Sequence, residues 1–191
     1  SVRLLYDKDR FFLEEDQPVV GRIHRYHGQL DVGVQIENAI ELRAGILRGR
    51  FEGETDVALN PLDSRAQIGA FVARLLYDRL DEYPLPRCGS WLQTDLTLSR
   101  AGLGGDGEYD RLLVRVANAR SYGRNTLLLR SIFGTDFGTR LPLYDRHTLG
   151  GFLRLSGLEP DALVGDVVTF ASLVYYREID GKLYYFKYPI K

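Results

Sequence analysis

The stretch Gln29-Leu30-Asp31-Val32-Gly33-Val34-Gln35-Ile36-Glu37 alternates without a break: Leu30, Val32, Val34 and Ile36 point one way, and Gln29, Asp31, Gly33, Gln35 and Glu37 the other. A period of two is the signature of a half-buried β-strand. Glu37-Asn38-Ala39 then reads as a tight turn, after which Ile40, Leu42, Ala44 and Ile46 alternate with Glu41, Arg43 and Gly45 on to about Phe51. The two segments predict a long β-hairpin.

The same pattern recurs along the chain. Ala66, Ile68, Ala70 and Val72 stand against Arg65, Gln67, Gly69 and Phe71, and Leu92, Thr94, Leu96 and Leu98 against Gln93, Asp95, Thr97 and Ser99. Beyond the glycine-rich tip Ala101–Gly107, the stretch Tyr109–Arg120 sets Leu112, Val114 and Val116 against Arg111, Leu113 and Arg115. Ser121–Asn125 turns the chain into Thr126–Phe137. Residues Gly138–Gly165, with Pro142, Pro160, Gly150-Gly151 and Gly157, break the pattern and read as one long loop of the kind usually kept for function. Strand character returns at Val167–Arg177, Asp180-Gly181 signals a tight turn, and Leu183–Ile190 reads as a last strand. The expectation is an all-β, antiparallel up-and-down meander of about eight or nine strands, forming a single domain over residues 1–191.

Composition narrows the classes. Lys and Arg number 25 against 26 Asp and Glu, a net charge of −1, so no global basic field exists to hold nucleic acid. A lone cysteine, Cys88, excludes a disulfide scaffold and a cysteine-rich zinc site. No apolar run approaches the ~20 residues of a membrane helix, whereas a spanning strand needs only about 9–11 alternating residues. The chain opens Ser1-Val2-Arg3-Leu4 and has no methionine, and it reads as an internal piece of a longer precursor.

Periodicity does not say which face is inside. In a soluble barrel or sandwich the apolar set packs inward and could hold an apolar ligand, and arginine at Val34 or Leu96 would unfold it in water. In an outer-membrane barrel the apolar set meets lipid and the polar set lines a wet lumen. On that reading Asp31, Arg43, Asp95, Arg111 and Arg115 face the lumen, and Tyr77, Tyr83, Tyr109, Tyr122, Tyr144 and Tyr175 suit the aromatic girdles.

Other patterns carry less. Gly102-Leu103-Gly104-Gly105-Asp106-Gly107 spells G-x-G-x-x-G but precedes a strand rather than a helix, so it reads as a hairpin loop. Asp136-Phe137-Gly138 lacks every companion motif of a kinase. His24 and His27 would point to opposite faces, and His147 stands alone, so no metal site and no cofactor is expected. Ser156 has no histidine, lysine or acid spaced to activate it.

Several separated segments together resemble the Omp85 superfamily, the bacterial surface antigen barrels. Leu141-Pro142-Leu143-Tyr144-Asp145 followed by Leu149-Gly150-Gly151-Phe152-Leu153-Arg154-Leu155-Ser156-Gly157-Leu158 is similar to the lumen-entering loop of that superfamily. The Leu-Gly-Gly-Phe-x-x-Leu-Ser-Gly form, with Leu163-Val164-Gly165 and Leu173-Val174-Tyr175-Tyr176-Arg177, resembles the version appended to patatin-like phospholipases. Tyr77-Asp78-Arg79-Leu80-Asp81 before Pro86-Arg87-Cys88-Gly89 is similar to a strand-end sequence of the family, and Asp7–Phe12 fits its first strand region.

The resemblance implies a bacterial outer-membrane β-barrel acting as translocator or anchor for a patatin-like phospholipase encoded upstream. It implies lipid and that passenger as partners. Leu149, Gly150, Gly151, Phe152, Arg154, Ser156 and Gly157 would be the functional loop residues. Ser156-Gly157 stands where the wider superfamily has Arg-Gly, leaving Arg154 as the cation of the loop. With no G-x-S-x-G nucleophile, the chain is not expected to be an enzyme itself. The C-terminal Lys191 stands where the family ends on an aromatic residue. Superfamily barrels have sixteen strands, so further strands or a second copy would complete the wall.

Overall fold

The computed structural model describes residues 2–15, 17–55, 64–151 and 154–179, with side chains described for 26–52, 65–151 and 154–179. The expected turn at Asp180-Gly181, the last strand at Leu183–Ile190, the His24 side chain and Phe152 lie outside the described residues.

Among the described residues ten strands run in chain order: β1 (Val2–Glu15), β2 (Gln17–Ile36), β3 (Ile40–Thr55), β4 (Ser64–Asp78), β5 (Gly89–Ser99), β6 (Tyr109–Tyr122), β7 (Asn125–Thr135), β8 (His147–Leu149), β9 (Leu163–Gly165) and β10 (Val168–Arg177). Eight of them form one sheet in the order β1-β2-β3-β4-β5-β6-β7-β10, while β8 and β9 pair apart from it. Every neighbouring pair is antiparallel. The all-β meander is therefore the fold. The loop expected over 138–165 carries the small β8–β9 ladder and a short 3-10 turn at Leu143–Asp145.

Local chemistry explains the turns. Ile36 pairs with Ile40, and Glu37 and Asn38 both take positive φ, the conformation that suits a tight hairpin to the twist of its strands. Beyond β5 the chain makes a 3-10 turn at Ala101–Leu103, closed by Gly104 at φ 84°. That turn lies against Gly69, where a Cβ would sit 2.2 Å from the Leu103 carbonyl oxygen. The G-x-G-x-x-G string is thus hairpin geometry.

Register separates the two faces of the sheet. Leu30, Ile46, Phe71 and Leu98 share one row, and Val34, Leu42, Leu75 and Thr94 another. These outward rows form a convex apolar face, with Val32 77% exposed and Leu173 67% exposed. From Ile40 to Ile46 the outward apolar set of β3 spans roughly 20 Å at about 3.3 Å per residue. Arg48 and Arg50 then follow on the same side and are exposed.

One strand departs from its sequence reading. Ile68 and Ala70 are buried on the concave face, while Phe71, assigned by sequence to the polar side, is half-exposed on the convex one. The 138–150 segment covers the concave face at that level. The strand accordingly turns apolar side chains inward there and returns to a charged inward residue at Arg74.

The short-turn end of the sheet is braced. The segment 79–88 reaches two neighbouring hairpins: Arg79 donates to Glu37 of β2–β3 (3.3 Å), Arg87 donates to the Gly123 carbonyl of β6–β7 (3.0 Å), and Ser121 of the latter donates to the Arg87 carbonyl (2.7 Å). Arg87 also pairs with Glu178 at 2.8 Å, and the Tyr176 hydroxyl donates to the Pro86 carbonyl. Within the segment, Asp81 accepts from the Arg87 and Cys88 backbone N–H groups at 2.9 and 3.1 Å and from the Cys88 thiol at 3.4 Å. That hydrogen bond, and then the carboxylate charge, push the Cys88 thiol above its usual pKa. Maleimide labelling of Cys88 at neutral pH should accordingly be slow for an exposed cysteine and faster in Asp81→Asn; equal rates in the two proteins would contradict the pairing.

Candidate functional site

The concave face holds the charges. A cavity of about 590 Å³ is lined by Asp31, Arg43, Asp95, Arg111 and Arg115, together with His27, Arg74 and Asp145. All five residues singled out in the sequence as lumen charges therefore line one hollow. Asp31 is 2% exposed and accepts from Arg43 at 3.1 Å and from Gln29 at 3.3 Å. A carboxylate so buried requires such partners, since leaving it bare would cost several kcal/mol. Arg43 also pairs with Glu41. Asp95 sits between Arg74 (2.6 Å) and Arg115 (2.9 Å) and accepts from Gln93 at 2.7 Å. The result is two charged clusters, one of Asp31, Arg43 and Glu41 on β2 and β3 and one of Arg74, Asp95 and Arg115 on β4 to β6, which meet where Arg43 and Arg74 stand opposite each other.

The long loop lies on this face, anchored by its first half. Leu141 packs with Phe51, Ile68, Ala70 and Tyr109 in the main buried cluster. Tyr144 stacks on Phe51 with ring centroids 4.0 Å apart, and burial pushes its hydroxyl up to about 12. The Tyr109 hydroxyl donates to Asp145 at 2.8 Å, and Arg111 approaches the same carboxylate at 3.8 Å. Tyr109 and Tyr144 thus point inward, away from the girdle positions expected of them. Each is amphipathic, and the loop supplies both an apolar surface and an acid.

The segment Asp136-Phe137-Gly138 is the turn that admits the loop. The Asp136 carboxylate accepts from the Gly138 and Arg140 N–H groups, both at 3.0 Å, where Phe137, Gly138 and Arg140 all have positive φ.

His147 was solitary in sequence but is well placed in the fold. It is 2% exposed and packs over Gly134 of β7, where a Cβ would meet the ring at 2.7 Å. Neither ring nitrogen has a hydrogen-bond partner of normal geometry, leaving only a weak interaction with the Thr135 backbone. Burial, and then the Arg111 guanidinium, hold its pKa below the usual histidine value against the opposing pull of Asp145 and Asp136. Above about pH 6.5 the ring is neutral whether the loop is docked or free. Below it, a freed histidine takes up a proton that the docked one refuses, so docking weakens as pH falls toward the lower docked value. Protease cleavage of the loop should rise across this window, and His147→Phe should flatten the rise; a profile unchanged by that substitution would contradict the assignment.

The predicted loop motif divides. Leu149, Gly150 and Gly151 are buried, Arg154 is half-buried, and Ser156 and Gly157 lie exposed in a turn. At Gly150 a Cβ would sit 2.2 Å from the Glu159 carbonyl oxygen, which explains the need for glycine there. The docking residues Leu141, Tyr144, Asp145 and His147 were not picked out as site residues by the pattern alone. Among the described residues no cluster of three or more His, Cys, Asp or Glu side chains could hold a metal ion, and no helix is long and apolar enough to cross a membrane.

An antiparallel meander with an apolar outer face, a charged inner face and a loop laid across the latter has the form of a barrel-wall segment, and solved structures share this fold. One such neighbour is BamA from Haemophilus ducreyi, in a crystal structure lacking POTRA domains 1-3, which superposes with a TM-score of 0.63 at 13% sequence identity. The match covers 90% of this chain and 40% of that one. No protein family matches the sequence, and no curated protein does.

Proposed function

We propose that this chain is part of the wall of a bacterial outer-membrane β-barrel and serves as translocator or anchor for a patatin-like phospholipase lying upstream of it. The observation that carries the reading is the polarity of the curved sheet, whose exposed apolar residues face outward and whose charges face inward. A soluble β-fold does the reverse. The outward apolar rows, roughly 20 Å tall, approach the band of about 25 Å that such barrels present to lipid. Asp31, Arg43, Asp95, Arg111 and Arg115 then line the lumen, and Leu149, Gly150, Gly151, Arg154, Ser156 and Gly157 belong to the loop that enters it. The lipase passenger rests on the sequence resemblance of Leu149–Gly157, and the lipase chemistry is the passenger's. Outer-membrane lipid is the partner of the convex face, and further strands or a second copy complete the wall.

The test is refolding into detergent or liposomes, read by gel migration with and without heating and by circular dichroism. A β-rich, heat-modifiable species that requires amphiphile supports the membrane reading. A monodisperse β-rich monomer in plain buffer would replace it with the soluble ligand-binding module.

A further inference from the structure

A second hollow of about 540 Å³ opens on the concave face toward the braced end. It shares Arg115 with the charged cluster around Asp95 and takes no residue from the cluster that holds Leu141. Trp91 of β5, Ala117 of β6, Leu128 and Ile132 of β7 and Phe170 of β10 contribute an apolar lining. Register makes these neighbours, since Trp91 pairs with Ala117, Ala117 with Arg130, and Ile132 with Phe170. The small Ala117 between larger side chains leaves the space open. Segment 80–86 borders the hollow, and so does Arg154 of the loop.

Its charges are unevenly satisfied. On the acidic side, Asp81 is occupied by the backbone of its own turn and Asp78 accepts from the Leu80 N–H at 3.1 Å, while Glu82, also in the lining, is exposed to solvent. On the basic side, Arg115 spends one nitrogen on Asp95, while its Nε is buried without a partner. Arg130 and Arg154 form no side-chain hydrogen bond or ion pair among the described residues. Guanidinium groups beside an apolar hollow, one with an orphaned buried N–H, favour an anion attached to an apolar body.

We propose that this hollow binds a single-chain amphiphile with an anionic head, of the long-chain carboxylate class, with its chain against Trp91 and Phe170 and its head on Arg130 and Arg154. The inference goes beyond a translocator or anchor role and requires only that the concave face be as described.

Trp91 is the sole tryptophan of the chain and lines the site, so it reports occupancy directly. The refolded chain in a nonionic detergent is titrated with a brominated long-chain acid and, separately, with the brominated alcohol of the same length. Saturable quenching by the acid is expected, at a concentration about tenfold lower than for the alcohol. Arg130→Gln with Arg154→Gln should remove that advantage, and Ala117→Leu should suppress quenching by both probes while leaving gel migration unchanged. Equal quenching by acid and alcohol, or an acid preference that survives the double variant, would overturn the proposal. So would a saturable change in Trp91 fluorescence on adding a short peptide with an aromatic C-terminal residue when the acid gives no quenching, because the site would then be a peptide site.

Discussion

Val34→Arg should destabilise the protein by about 2–4 kcal/mol in a bilayer, the cost of a lipid-facing arginine near midplane depth, and by less than about 0.5 kcal/mol in water, as an ordinary exposed substitution. Val34 is 53% exposed on the convex face, in the outward rows between Val32 and Ile36. Leu42 is its partner on β3 and Leu75 stands next in the row on β4, and neither offers a charge to receive a guanidinium. Denaturant titration of folded protein in liposomes, compared with Gln35→Arg on the opposite face of the same strand, measures the difference. A large loss at Gln35 with none at Val34 would mean that the two faces have been assigned the wrong way round. Unfolding of Val34→Arg in plain buffer would say that this face packs against protein, as a soluble module requires.

Leu141→Ala is the second large effect. Leu141 is 3% exposed and fills the cluster formed by Phe51, Ile68, Ala70 and Tyr109, so truncation should cost about 2–5 kcal/mol. That loss falls on docking of the loop rather than on the hydrogen-bond ladder of the sheet. The expected result is rapid proteolysis between Pro142 and Asp166 with β-sheet circular dichroism unchanged. Tyr109→Phe, which removes the donor to Asp145, should release the loop by a smaller margin of about 1–3 kcal/mol. If Leu141→Ala instead melted the whole sheet in one transition, loop and wall would form a single cooperative unit and the loop could not move independently.

These effects show what the sequence could and could not convey. Alternation from Gln29 to Ile46 foretold the hairpin, because a side-chain period of two is a local property of the backbone. Its sign was not local. Ile68 and Ala70 point inward because a segment some seventy residues later covers them, and nothing in Arg65–Val72 announces that segment. The loop was legible as a break in periodicity and as a set of family-like strings, but its anchor was misplaced. Gly150-Gly151 and Ser156-Gly157 drew notice as motifs, whereas attachment rests on Leu141, Tyr144, Asp145 and His147, whose partners Phe51, Tyr109 and Gly134 are distant in the chain. A lone glycine within β7 does hint at close approach by another group, though not at which one. The lumen charges were readable because period two places Arg111 and Arg115 on one side of the same strand.

The bracing around segment 79–88 bears on how the sheet could deform. Glu37, Ser121, Gly123, Tyr176 and Glu178 are all tied to that one stretch, so β2 through β10 are gathered at a common hem. At the opposite end the connection from β7 to β10 is folded back over the inner face, where Leu141 anchors it. A widening of this wall would therefore spread like a fan, with its pivot at the hem and its greatest travel at the far rim, where withdrawal of the loop would leave the opening least obstructed.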